Sequence, residues 1–192
     1  GKFRRQRQMC IRDSLLDMQC GSFMAQTSDE LCSRKGVKRE DADAFAVISH
    51  TRTASSIDSG LFDEEIVPVE TPDGIVGPKD EDHVVRGTNE ESLSGLRAAF
   101  GPDSLVTAGN ASGVVDGAAA LVIKSATQAE KDGDSPLAKI ISWGIVGIEP
   151  AIMAYGPVPS SLKALKKANL SVDEIDRWEI NEAFSGQAVA LS

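Results

Sequence analysis

The stretch VTAGNASGVVDGAAALV, residues 106–122, carries the first decision about this chain. It reads as a short strand (SLVTAGN, 104–110), a turn rich in Gly, Asn and Ser, and a second strand (DGAAALVIKS, 116–125). The unbroken apolar run of the second is the pattern of a strand buried on both faces, as in parallel sheets covered by helices. Gly109, Gly113 and Gly117 permit positive φ and close approach, and Asn110 and Ser112 offer short hydrogen-bonding side chains. The turn is either an ordinary tight turn or the lining of a ligand slot. It matches neither G-x-x-x-x-G-K-[ST] nor G-x-G-x-x-G, so a phosphate cradle of those types is disfavoured.

Working outward, MAQTSDELCSRK (24–35) reads as a helix ended near Gly36, and Lys38 to Ser59 as a longer one. EEIVPVE (64–70) reads as a strand with Pro68 at an edge or bend, and TPDGIVGPKDEDH (71–83) as a surface loop. Leu93, Leu96 and Phe100 share a helical face that stops at Gly101-Pro102. TQAEKDGDSP (127–136) is a polar bridge and the candidate domain boundary; AKIISWGIVGI (138–148) is strand-like. A helix then starts at Pro159, with Leu162, Leu165 and Ala168 on one face and Asn169 near its end. SVDE (171–174) matches a capping box, RWEI (177–180) a short strand, and NEAFSGQAVALS (181–192) opens a last helix. Alternating strands and helices indicate α/β layers around a largely parallel sheet. The last helix stops while its apolar face (Phe184, Ala188, Leu191) is still running, which points to a fragment.

Composition narrows the class. With 41% hydrophobic and 26% charged residues, the chain of 192 is globular rather than wholly disordered. Its net charge of -9 repels phosphate backbones, which disfavours nucleic acid as the main partner. No apolar run approaches the roughly 20 residues that span a bilayer. Three cysteines (Cys10, Cys20, Cys32) without a C-x-x-C pair suit a reducing compartment, and two histidines (His50, His83) give a metal site little support. Residues 1–14 are basic and aperiodic, with no apolar core of a signal peptide. They read as a non-native or disordered tail.

EINEAFSGQ, residues 179–187, is the second decision. A polar Asn181-Glu182 pair follows an apolar strand and opens a helix, at the strand end where α/β sheets place ligands. Asn181 is either a helix cap or an amide that orients a water or a substrate oxygen.

Together, T-A-G-N-A-S-G…D-G-A-A-A and E-x-N-E-A-F, in this order and at this separation, resemble the thiolase family. The likeness covers roughly residues 15–192, including MAQTSDELCSRKGVKRED, which is similar to that family's loop domain. It implies an α/β thiolase fold of two similar halves, present in part. Residues 15–126 would be the C-terminal portion of the first half (loop domain about 15–100), and 127–192 the beginning of the second. It implies an acyl-CoA C-acyltransferase: Claisen condensation of acyl-CoA, or thiolysis of a 3-ketoacyl-CoA, through an acylated Cys. A His activates that Cys and a second Cys serves as acid and base. Asn181 matches the Asn whose bound water completes the oxyanion site; Ala108 and Ser112 match positions along the pantetheine arm of CoA. Met24, Phe100, Met153 and Phe184 match apolar positions around that arm or the acyl pocket, or are plain core. Arg86 matches an Arg that meets CoA phosphate, or is a solvated surface residue.

The same likeness implies no cofactor or metal beyond CoA thioesters as substrates, a homodimer or homotetramer, and by default a cytoplasmic location. The family's V-N-x-x-C-x-S-G, G-H-P and C-x-G-G-G segments do not occur in these residues. Cys32 reads as a helix-face residue and His50 and His83 as surface histidines, so the fragment itself is expected to be inactive. A ketoacyl synthase would carry His where Asn181 stands, and a sterol-carrier-type thiolase H-D-C-F. The alternative from another class is a non-catalytic acyl-CoA-binding or assembly protein of the same fold.

Overall fold

The computed structural model describes residues 15–80, 83–115 and 117–192; the 1–14 tail and Cys10 lie outside them. The order is β1 (Leu16–Asp17), β2 (Ser22–Phe23), α1 (Met24–Lys35), α2 (Arg39–Asp58), β3 (Val69–Thr71), β4 (Gly74–Val76), α3 (Glu90–Ser94), α4 (Ala126–Asp132), a 3-10 helix (Pro150–Tyr155), α5 (Pro157–Ala168), a 3-10 turn (Val172–Glu174) and α6 (Ser185–Leu191).

The helices form where local signals end them. Gly36, at φ 73°, takes the left-handed cap of α1 and donates back to the Cys32 and Ser33 carbonyls. Asn169, at φ 55°, does the same for α5. That helix begins at Pro157, two residues before the expected start, because its leading prolines occupy a first turn that needs no N–H donor. The capping box of Ser171 and Glu174 forms as expected, closing the short 3-10 turn.

The core sits between helices. Leu31 of α1, Ala154 of the 3-10 helix and Ala190 of α6 form its buried centre, with Val37, Tyr155 and Leu191 packed around it. Helix α6 lies against both α1 and α2. Gly186 makes this approach possible, since a Cβ there would sit 2.9 Å from the Cys32 sulfur. The apolar face that is still running at the last helix is therefore covered in part within the chain. Arg34 clasps Glu149 bidentately at 2.7 and 2.9 Å and so fastens α1 to the start of the 3-10 helix.

The strands depart most from the sequence reading. Among the described residues there is no parallel sheet, only the antiparallel hairpins β1–β2 and β3–β4. EEIVPVE contributes just its end to β3, and part of the expected loop becomes β4, with Thr71 opposite Gly74 around a two-residue turn. Residues 104–107 are buried or half-buried but make no strand. Their backbone is held by side chains instead: Leu105 N–H donates to Asp29 at 2.9 Å and Thr107 N–H to Asn110 at 2.8 Å. Residues 117–125, expected as a buried strand, and 138–148, expected as strand-like, form no strand and are largely exposed, as is RWEI. Leu121 is 87% and Val122 90% exposed. A strand's hydrogen bonds lie in its neighbours, and among the described residues no neighbouring strand pairs with these segments.

Two further readings change, one of a helix and one of the polar bridge. The face of Leu93, Leu96 and Phe100 is helical only over α3, because Ala99 N–H turns to the Val106 carbonyl at 2.9 Å. TQAEKDGDSP is mostly helix α4, capped by the Ser125 side chain and ended by Gly133 at φ 72°. The segment after it lies on α5, where Lys163 and Lys167 donate to the Ile145 and Trp143 carbonyls.

Candidate functional site

The two motifs meet. Ala111 pairs with Phe184 in an antiparallel bridge, Ser112 N–H donates to the Ala183 carbonyl at 3.0 Å, and Ser185 N–H donates to the Asn110 carbonyl at 2.9 Å. Beside this junction opens a cleft of about 300 Å³, lined by Ser49, His50 and Thr53 of α2, by His83 and Val84, by residues 109–113, and by Glu182 and Ser185.

Helix α2 is the backbone of the site. Asp43, Ala46 and His50 share one face of it at i, i+3 and i+7. Asp43 is buried, accepting from Arg39 Nε at 2.8 Å and from Asn110 Nδ2 at 2.8 Å. Asn110 also donates to the Leu105 carbonyl at 2.9 Å and accepts from Thr107 N–H. The amide side chain is thus committed to holding the loop, and it faces inward. Ser49 Oγ donates to Glu182 Oε2 at 2.5 Å. His50 stands between two loops, Nε2 at 3.0 Å from the Gly109 carbonyl and Nδ1 at 3.3 Å from Val85 N–H.

The glycines act by close approach. None of Gly109, Gly113 and Gly117 has positive φ. A Cβ on Gly109 would fall 2.5 Å from Leu93 Cδ2 and 2.7 Å from Leu96 Cδ1, and one on Gly113 2.3 Å from His83 Nε2. Gly117 meets nothing within 4 Å.

Comparison with known proteins now bears on this junction. The family model "Thiolase, N-terminal domain" matches residues 3–127, and "Thiolase, C-terminal domain" residues 134–192. The chain belongs to the thiolase family. The 3-ketoacyl-CoA thiolase of Marinobacter nauticus is 45% identical over 174 residues, 88% of this chain and 44% of that relative. The crystal structure of the Bacillus anthracis acetyl-CoA acetyltransferase superposes with TM-score 0.87 at 38% identity, over 94% of this chain and 46% of that one. Human mitochondrial 3-ketoacyl-CoA thiolase in complex with CoA gives TM-score 0.87 at 39% identity, over 93% and 45%. The fold is the thiolase fold, and the chain spans about half the length of the curated relatives it matches.

Within this thiolase chain the sequence-derived residues separate into groups. Ser112 lines the cleft and Phe184 pairs beside it, while Ala108 is exposed on the same loop. Asn181 is exposed just ahead of the junction, and its neighbour Glu182 rather than Asn181 lines the cleft. Phe100 packs on Phe23 with ring centroids 5.8 Å apart, next in sequence to Met24 at the start of α1. Met153, 42% exposed, belongs to the 3-10 helix packed along α1. Arg86 pairs with Asp58 at 2.7 Å on the surface.

Of the histidines read as surface residues, His83 is exposed, with its ring against Gly113, whereas His50 is half-buried and bonded on both nitrogens. The signal for His50 was its spacing of seven from Asp43 on a long helix, legible only once that face was known to be buried. Among the described residues no His, Cys, Asp and Glu cluster could hold a metal, and no helix is long and apolar enough to cross a membrane.

Cys32 is buried in α1, and burial pushes its thiol up from 9.0 to about 11. A thiol that keeps its proton is a poor nucleophile. In the folded chain Cys32 should stay unalkylated at pH 8 while the half-exposed Cys20 reacts, as peptide mapping after iodoacetamide would read; fast labelling of native Cys32 refutes this. The unfolded thiol ionises near 9 and the folded one near 11, so its contribution to stability is intact below pH 9 and is lost between 9 and 11. Cys32→Ala should flatten that part of the pH profile.

Proposed function

We propose that these residues belong to an acyl-CoA C-acyltransferase, condensing two acyl-CoA molecules or cleaving a 3-ketoacyl-CoA with CoA. The observation that carries the reading is the joining of the T-A-G-N-A-S-G loop to the N-E-A-F turn through the Ala111–Phe184 bridge. In this reading Asn181 holds the water that meets the thioester oxygen as it becomes an enolate, where fixed donors lower the barrier most. Ala108 and Ser112 border the pantetheine arm, Met24, Phe100, Met153 and Phe184 supply apolar contact to the arm or the acyl chain, and Arg86 takes a CoA phosphate. Asp58 neutralises part of the Arg86 charge, and the guanidinium keeps further donors for an anion.

The substrates are CoA thioesters, with no other cofactor. The assembly is a homodimer or homotetramer acting in fatty-acid metabolism, in the cytoplasm by default. The names of the relatives, 3-ketoacyl-CoA thiolase and acetyl-CoA acetyltransferase, support the chemistry. The acylated Cys, its activating His and the acid/base Cys have no counterpart among these 192 residues; Cys32, protonated and enclosed, is no substitute. Acetoacetyl-CoA thiolysis, followed by loss of the 3-ketothioester absorbance, tests both parts. The complete gene product should turn over and the 192-residue chain should not exceed background. Thiolysis by the short chain would overturn its inactivity. An intact, folded gene product that binds acyl-CoA without turnover would favour the non-catalytic binding protein.

A further inference from the structure

We infer that His50 is a positioning residue, which ties the Arg86-bearing segment to the floor of the cleft and thereby sets how the nucleotide end of a CoA thioester is held. The inference rests on the proposed function. Its material is the geometry of one side chain.

The two ring nitrogens of His50 have partners of opposite kind. Val85 N–H can only donate, so Nδ1 at 3.3 Å accepts; the Gly109 carbonyl can only accept, so Nε2 at 3.0 Å carries the proton. The neutral ring with its proton on Nε2 is the one form that satisfies both. Gly109 is an unyielding partner: Leu93 and Leu96 press against the place a side chain would occupy, so its carbonyl is held by packing. Val85 is the opposite case. Residues 85–87 are exposed, and Arg86 meets Asp58 in an exposed pair that adds little rigidity. Thr88 bonds back to the Val85 carbonyl, within the segment itself. His50 is therefore a tie from a well-packed helix to the backbone immediately before Arg86.

The neighbouring side chain does similar work on another segment. Ser49 holds Glu182, directly after Asn181, at 2.5 Å. Two successive residues of α2 thus reach three pieces of chain: the Arg86 segment, the 109–113 loop and the N-E-A-F turn. An amide or phosphate contact misplaced by about 1 Å loses much of its value, so the helix converts its own rigidity into alignment of loops that have little of their own.

The experiment uses the complete gene product with two thioester substrates. One is acetoacetyl-CoA; the other is the acetoacetyl thioester of N-acetylcysteamine, which keeps the reacting thioester and lacks the nucleotide and its phosphates. His50→Phe keeps a flat ring and removes both hydrogen bonds. The kcat/KM ratio of the CoA substrate to the truncated one should fall about tenfold, the scale of a lost charge-assisted contact, and the fall should sit in KM. His50→Gln, whose amide presents one acceptor and one donor, should recover most of the ratio.

Arg86→Ala should lower the same ratio, and His50→Phe should add little in the Arg86→Ala background. An Arg86→Ala ratio equal to that of the unaltered protein removes the phosphate reading of Arg86, and the His50 inference with it. If Arg86→Ala lowers the ratio but His50→Phe leaves it unchanged, or lowers it additively, the reading of Arg86 stands and His50 is overturned. If His50→Phe fails to fold, imidazole ¹⁵N shifts of the unaltered protein decide: a protonated Nε2 with an unprotonated, hydrogen-bonded Nδ1 is expected, and the opposite tautomer overturns the inference.

Discussion

Asp43→Ala is expected to cost the chain about 3–5 kcal/mol of stability, the scale for removing one partner of a buried charge network. Asp43 is 3% exposed, and each of its carboxylate oxygens has a different partner. One accepts from Arg39 Nε at 2.8 Å, and the same guanidinium reaches the Leu93 and Leu96 carbonyls at 2.7 and 3.2 Å. The other accepts from the buried Asn110 amide. Truncation leaves Arg39 without its counter-charge and one Asn110 donor with less to bond, in a place water reaches poorly.

The loss should spread, because the Asn110 backbone carbonyl also takes the Ser185 N–H and hydroxyl, so the N-E-A-F turn hangs on the same network. Asp43→Asn, which keeps the shape and one acceptor, should cost less. Urea denaturation of the two variants measures this. A shift below about 1 kcal/mol for Asp43→Ala would mean that the network does not hold the loops.

Asn181→Ala in the complete gene product is expected to lower kcat by about 100-fold or more while the KM for acyl-CoA changes little. A donor that meets the thioester oxygen only as charge develops contributes to the transition state and hardly to the bound substrate. The placement of Asn181 allows it. The side chain is exposed on the segment that leads into the junction, and Ser49 fastens the next residue to α2. Circular dichroism and the denaturation midpoint should be unchanged, since an exposed amide carries no packing. Steady-state kinetics with acetoacetyl-CoA read the result, and an unaltered kcat removes the oxyanion role.

The helices and the family were open to a reading of residues alone. Helix signals are local: Gly36 and Asn169 end α1 and α5 through their own backbone angles, and the periodicity of each segment lies within a few turns. The two motifs are contiguous strings, so they too survive without coordinates. The strands were the opposite case. The apolar run 118–123 has a strand's composition, yet what makes a strand is a ladder to another segment, and none pairs with it among the described residues. The hairpin at Pro72-Asp73 went unread because its two sides are exposed and carry no buried alternation.

Helical periodicity, caps and the two glycine- and asparagine-bearing motifs came from the amino-acid order itself, because each depends on residues a few positions apart. The inward turn of Asn110, the bracing of two loops by His50 and the need for glycine at 109 came only from the tertiary structure. Each of those depends on what a residue meets well beyond its own local stretch, from Leu96 and Leu93 beside Gly109 to Asp43 beside Asn110. Hydrogen-bond partners and steric room are properties of space, which the chain acquires when it folds.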